Sequence, residues 1–147
     1  MKKLKIYLDN CCFNRPYDDQ TQDIIMLETT AKLLIQKLVA EKKIDLVWSY
    51  ILKFENSQNI YEAKKNAIAG WRKLSSLYVD QNDEIESLAQ KITQHGLKNA
   101  DALHVACAIF AECEFFITVD RRILKYKCDE ITISNPLEFM SLYEGGE

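Results

Sequence analysis

The chain has 147 residues, 48% of them apolar and 28% charged, with a net charge of −3. That is one domain's worth of an ordinary folded chain, which excludes an intrinsically disordered protein and argues against one that only grips phosphate backbones, since such proteins are usually basic. A metal-dependent nuclease stays open, because its carboxylates need bound cations before a phosphate can approach.

Five cysteines, an odd number, do not suit a closed disulfide framework. None is spaced C-x-x-C, so a zinc cage is not expected. Free thiols suit a reducing compartment. A domain of this size buries roughly two thirds of its unfolded surface and needs no covalent staple. The N-terminal Met1-Lys2-Lys3-Leu4-Lys5 is charged like a signal n-region, but the apolar run Ile6-Tyr7-Leu8 stops at Asp9, too short for an h-region. No stretch approaches the ~20 apolar residues of a membrane span. The expectation is a cytoplasmic protein with no membrane partner.

Lys5 to Leu8 reads as a short strand ending at an acid. Asn10 to Asp19 is longer and richer than a short polar loop and reads as a solvated turn built around Pro16. Ile24, Leu27, Ala31, Leu34, Ile35 and Leu38 repeat at three and four residues, the pattern of an amphipathic helix, with Asp19 and Gln22 as a capping pair. Ile44 to Trp48 is a second strand, Ser49 an N-cap, and Leu52 to Asn56 helical. Ile60, Ala63, Ala67, Trp71 and Leu74 mark another helix, weakest at Gly70. Tyr78-Val79 is a short strand. Asp83 and Glu86 form a capping box for a helix that Gly96 closes. Asn99 caps a small-residue helix through Leu103, Ala106, Cys107, Phe110 and Ala111. Phe115 to Val119 is an apolar strand ending at Asp120, and Ile131 to Ile133 is the last strand. Asn135-Pro136 starts a final helix with Pro at its first position and Glu138 at its third. Strands alternating with helices imply a three-layer α/β/α domain on a mostly parallel sheet. It spans residues 1–143, and residues 144–147 form a frayed tail.

In open α/β sheets ligands sit at the carboxyl ends of the strands, where Asp9 and Asp120 fall. Each is either a ligand or a loop residue that caps a helix. Asp101 lies in the first turn of its helix, where the dipole alone favours an acid by roughly 0.3–1 kcal/mol. Yet the helix from Ala102 to Cys107 is small and apolar, so its polar start points into a crevice. Glu55 follows bulky Tyr50, Ile51, Leu52 and Phe54, as a rim residue or a ligand. Mg²⁺ and Mn²⁺ take oxygen ligands, usually a few carboxylates plus water, and a pair of such ions about 3.5–4 Å apart clamps an in-line phosphoryl displacement. No Ser-His or Cys-His pair stands out between the two histidines, His95 and His104. His104 reads as a packing or supporting residue rather than a general base. Thr118 either donates to a carboxylate or phosphate or is simply a β-former.

Four motifs now stand in order: Ile6-Tyr7-Leu8-Asp9, Ser49 to Glu55, Asp101-Ala102-Leu103-His104-Val105-Ala106 and Phe116-Ile117-Thr118-Val119-Asp120. In order and spacing they resemble the PIN-domain family of ribonuclease toxins and their relatives, over essentially the whole chain. The resemblance implies a Rossmann-like sheet with a small helical arm and a Mg²⁺- or Mn²⁺-dependent endoribonuclease acting on single-stranded or structured RNA. It also implies that Asp9, Glu55, Asp101 and Asp120 are the catalytic and metal-holding residues. A small antitoxin partner and a homodimer are implied as well. Departures from the family pattern are the long Asn10-Cys11-Cys12-Phe13-Asn14-Arg15-Pro16-Tyr17-Asp18-Asp19 segment and Ile123 where many toxins carry an acid. Asn10, Arg15 and Asp18 are candidates to support the site or contact RNA, Glu28 a further candidate ligand, and Arg121 and Arg122 either phosphate contacts or a solvated face. The rival reading is a PIN-like module that binds RNA or protein without catalysis. An aspartyl phosphohydrolase does not fit, because Cys11 stands where its second acid belongs.

Overall fold

In the computed structural model, which describes residues 3–145, Lys5–Leu8 forms the first strand, β1. Met1 and Lys2, and Gly146 and Glu147 of the expected tail, lie outside the described residues. The other strands are β2 (Asp45–Ser49), β3 (Leu77–Val79), β4 (Phe115–Ile117) and β5 (Thr132–Ser134). Their order is β3-β2-β1-β4-β5 and every neighbouring pair is parallel. Parallel neighbours need long crossovers. The helices supply them: α1 (Asn10–Asn14), α2 (Asp23–Ala40), α3 (Tyr50–Ser57), α4 (Glu62–Ala69), α5 (Asp83–Thr93), α6 (Asn99–Phe110), α7 (Arg121–Leu124) and α8 (Pro136–Gly145).

Side chains alternate across a strand, and this sorts the layers. Phe116 stacks on Tyr7 at 5.3 Å, and the Tyr7 hydroxyl reaches His104 of α6. Phe115 points the other way and meets Phe139 of α8 edge-on at 5.0 Å. α5 packs on α6, and α2 on α8, one pair to each face. α3 and α4 form the helical arm, tied where Asn56 Nδ2 donates to the Lys65 carbonyl at 2.9 Å. The chain runs outward from β1 through β2 to β3, then returns to lay β4 on the other side of β1. That reversal is the switch point at which doubly wound sheets open a crevice, and Asp9 and Asp120 flank it.

Several local features match the sequence reading. Ser49 Oγ accepts from the Leu52 amide at 3.2 Å. Asn135 Oδ1 accepts from the Glu138 amide at 2.8 Å, and the Glu138 carboxylate accepts back from Asn135 Nδ2 at 2.9 Å. Gly96 has a φ of 111°, a conformation that favours glycine. Others shift. The α5 cap is Asn82, whose Oδ1 takes the Ile85 amide, while Glu86 accepts from Gln81. Lys98 precedes α6 with no side-chain cap. The helix expected from Ile60 to Leu74 is shorter: α4 ends at Ala69, and Gly70–Leu74 tightens into a 3₁₀ turn. The turn expected after Asp9 is instead α1 followed by a 3₁₀ turn at Arg15–Tyr17.

The largest correction concerns α2. Ile24, Leu27 and Leu34 are exposed, together with Met26 and Leu33, while Glu28, Lys32 and Gln36 share the buried face with Ile25, Ala31, Ile35 and Val39. Glu28 is neutralised by Arg15, whose Nη2 lies 2.7 Å from it. Lys32, only 4% exposed, has its ammonium 5.5 Å from the Phe13 ring centroid, and burial pulls its pKa down to about 8. Lys32→Met is therefore expected to raise stability at neutral pH by roughly 1–3 kcal/mol. A lysine whose folded pKa is depressed adds stability as pH rises from that value toward its unfolded one. The variant should lose this upward trend in melting temperature on the alkaline side.

Candidate metal centre at the switch point

Asp9 follows β1, and the capping expected of it is observed. It is an N-cap, with Oδ1 accepting from the Asn10 amide at 2.8 Å, and it is 94% buried at the crevice, being 6% exposed. Its backbone amide donates to the Ile117 carbonyl at 2.9 Å, which carries the β1–β4 pairing one residue further. Thr118 Oγ1 donates to Asp9 Oδ2 at 2.8 Å and accepts from the Asp120 amide at 3.1 Å. Cys11 Sγ lies 3.4 Å from Asp9 Oδ2 and 3.3 Å from Thr118 Oγ1. Cys12 packs beneath, its thiol against the Ile117 carbonyl. The adjacent cysteines thus have distinct places, one beside the carboxylate and one in the core.

The residue that the sequence undervalued is His104. It is 1% exposed. Its Nε2 lies 2.7 Å from Glu55 Oε1 and 3.8 Å from Asp9 Oδ1. Its Nδ1 lies 2.6 Å from the Tyr7 hydroxyl, which lies 2.6 Å from Ser49 Oγ. Both hydroxyls can donate or accept. Tyr7 can therefore donate to Nδ1 while Nε2–H donates to Glu55, or accept from Nδ1–H and leave the Nε2 lone pair facing the carboxylates. Burial keeps the Tyr7 hydroxyl protonated, well above its ordinary pKa.

Asp101 and Asp120 come to the same crevice without joining that inner group. Burial first, then the charges of Asp9 and Asp120, raise the pKa of Asp101. Asp120 caps α7, accepting from the Arg122 amide at 2.9 Å, with Arg122 Nη2 at 3.4 Å from its other oxygen. Asp18 Oδ2 lies 3.0 Å from Arg15 Nη1. Arg15 is held by Asp18 and by Glu28 of α2, and the Glu28 carboxylate is paired with it.

One ligand atom each from Asp9, Glu55 and His104 lie within 4.8 Å of one another. Two carboxylate oxygens and an imidazole nitrogen at that separation fit a divalent cation after small side-chain shifts. The nitrogen makes the set more favourable to Mn²⁺ than an all-oxygen site would be. Without a cation, acids in close company must share protons. For His104, burial lowers the pKa, but the hydrogen bond to Glu55 and the nearby charges of Asp9, Glu55 and Asp101 together leave it raised. A group held above its unfolded pKa gives stability that is full below that value and is lost as pH rises through the folded one. His104 loses its contribution above its ordinary 6.5. In EDTA the melting temperature should accordingly fall as pH rises above 6.5. A flat profile in wild type and His104→Asn alike would show that the imidazole gains no proton from its surroundings.

A larger cleft, about 550 Å³, opens at the amino ends of β1, β4 and β5 beside Leu4, Phe115 and Thr132. Glu114, Cys128, Asp129 and Glu130 line it, but among the described residues they do not converge as metal ligands, and it lies at the end of the sheet away from the switch point.

Neither a protein-family model nor a curated protein matches the sequence. Solved structures do. The chain is similar to FitAcB from Neisseria gonorrhoeae, with 16% identity and a TM-score of 0.60, over 90% of this chain and 98% of that one. It is similar to VapBC2 from Rickettsia felis, bound to a DNA fragment from their promoter, and to DNA-bound VapBC from Salmonella typhimurium. Each is 13% identical at a TM-score of 0.57, over the same 90% and 98%. The chain has the PIN fold. At this level of identity the likeness is one of fold, and the PIN sheet order accounts for how acids from distant motifs reach one crevice. Within this fold one sequence signal gives His104 more weight than a packing or supporting role: a polar side chain one turn beyond Asp101, on the face of a helix otherwise built from alanine, valine and cysteine.

Proposed function

We propose that the protein is a Mg²⁺- or Mn²⁺-dependent endoribonuclease of the PIN type, working on single-stranded or structured RNA in the cytoplasm. The observation that carries this reading is the convergence of Asp9, Glu55 and His104 ligand atoms within 4.8 Å at the sheet's switch point, with Asp101 close enough to feel Asp9 and Asp120. A divalent cation there supplies Lewis acidity toward a phosphodiester and makes water nucleophilic near neutral pH. Asp9, Glu55 and His104 would hold it, and Asp101 and Asp120 complete the negative surround. Thr118 and Cys11 fix the Asp9 carboxylate, and Tyr7 with Ser49 fixes the imidazole. The structures similar to this chain bear two-component names, FitAcB and VapBC. A small antitoxin partner and a homodimer belong to the same proposal. Among the described residues no helix is long and apolar enough to cross a membrane.

The test is incubation of purified protein with a mixed pool of single-stranded RNA in Mn²⁺, in Mg²⁺ and in EDTA, alongside thermal melting in each. Cleavage only with metal is expected, together with a rise in melting temperature. At a metal concentration of 100 times Kd the stabilisation is about 2.7 kcal/mol, or about 5–10 °C for a domain of this size. Absence of both cleavage and stabilisation would favour the alternative, a PIN-like module that binds RNA or protein without cutting.

A further inference from the structure

A cleft of about 280 Å³ lies between α1, α3 and the start of α4. That is below the roughly 300–1,000 Å³ of pockets for drug-sized ligands, a size suited to one flat ring system. Five of its wall residues are carboxamides: Asn10, Asn14, Asn56, Gln58 and Asn59. Such groups carry no charge and both donate and accept, as the edges of nucleobases do. Among the described residues, the Oδ1 atoms of Asn10 and Asn56 are buried with no hydrogen-bond partner. Asn56 is 94% buried, being 6% exposed. A buried acceptor left unpaired costs about 1–3 kcal/mol, which a ligand's donor can recover.

The rim is apolar and aromatic. Tyr61 is 65% exposed and Ile60 is also exposed, so each offers bare surface to a stacking ring. Lys64 is the cationic residue of the lining, with its ammonium 5.0 Å from the ring centroid of exposed Tyr17. The cleft is continuous with the metal centre. Glu55 lines it and also meets His104, and Asn10, another wall residue, donates its amide to Asp9. We propose that this cleft is a subsite for an unpaired nucleobase of single-stranded RNA, the ring stacking on Tyr61, its edge read by the carboxamides, and a backbone phosphate met by Lys64. A basic peptide side chain fits less well. It would face Lys64, and Glu55, the carboxylate in the wall, is already bonded to His104.

This inference rests on the nuclease reading for its substrate, and binding tests it separately from cleavage. Anisotropy of labelled oligo(A), oligo(C) and oligo(U) would be measured in Ca²⁺ for wild type, Tyr61→Ala, Tyr61→Phe and Gln58→Ala. Stacking on one aromatic side chain is worth about 1–3 kcal/mol, so Tyr61→Ala should weaken at least one oligonucleotide by roughly 10-fold or more. Tyr61→Phe should stay within about 2-fold of wild type, because the ring remains. Gln58→Ala should change the order of preference among the three. The rise in melting temperature with Mn²⁺ should be the same in all four proteins, which shows them folded with the metal centre intact. If Tyr61→Ala and Gln58→Ala bind all three oligonucleotides as wild type does, the subsite is overturned. If these variants instead weaken only an arginine-rich peptide, the cleft serves a protein partner and the inference is overturned as well. Base-selective binding that the variants abolish, with no metal-dependent cleavage of any RNA, supports the subsite and counts against the nuclease reading alone.

Discussion

Asp9→Asn should lower metal-dependent RNA cleavage by more than about 100-fold, beyond the 10–100-fold typical of residues that only support a metal ligand. Asparagine keeps the shape of the side chain and one acceptor for the Asn10 amide or the Thr118 hydroxyl, so the β1–β4 junction should survive. The change removes a charge on which the rest of the site converges. Asp101 is already held above its ordinary pKa, by burial and then by the charges of Asp9 and Asp120. Relieving that repulsion should leave the melting temperature in EDTA unchanged or higher. The response to Mn²⁺ should move the opposite way, since a metal stabilises only the folded state that binds it. The decisive combination is a normal or raised melting temperature in EDTA, no rise with Mn²⁺, and no cleavage. An Asp9→Asn protein that still cuts RNA would remove this carboxylate from the metal set.

His104→Ala should be the most destabilising change at the site. It leaves Glu55 without the imidazole and the Tyr7 hydroxyl with Ser49 as its remaining partner, and it opens a buried cavity between them. One orphaned buried group costs about 1–3 kcal/mol, so a total near 3 kcal/mol is expected, or roughly 6–12 °C in melting temperature. Because that loss alone could abolish activity, the informative companion is Tyr7→Phe. It keeps the ring stacked on Phe116 and deletes only the hydroxyl that orients the imidazole. Mn²⁺ affinity should fall about 10–100-fold in Tyr7→Phe. In His104→Asn, Mn²⁺ affinity should fall further than Mg²⁺ affinity, because nitrogen ligation favours the softer ion. Binding of both ions at wild-type strength in both variants would reduce His104 to a packing residue.

The features that could be read from the sequence were those written within a few residues. The strand Lys5–Leu8, the Ser49 cap and the Asn135 to Glu138 pair depend on neighbours in the chain, and each stands where its local pattern puts it. The α2 face could not be read this way. Ile24, Ile25, Met26, Leu27, Leu33, Leu34 and Ile35 make this helix apolar nearly all round, so a three-and-four repeat can be drawn on more than one face. Which face is buried depends on Arg15, which neutralises Glu28 from thirteen residues away. His104 was read only as a packing or supporting residue for the same reason at longer range. Its partners Tyr7 and Glu55 are separated from it by 97 and 49 residues. The four acids were singled out because each lies at or near the end of an element, where polarity contrasts with an apolar run. That contrast marks a crevice but does not say which acids touch.

The separation of 109 residues between Asp9 and Thr118 also sets a timetable. At the roughly 5–20 residues per second of protein synthesis, about 5–20 s pass between the addition of the two. Throughout that interval the growing chain has β1, later joined by β2, but no complete β4 to close the switch point. Whatever chemistry the crevice performs, a nascent chain cannot perform it on the message being translated or on the ribosome beside it. A fragment released early by a broken message is inert for the same reason.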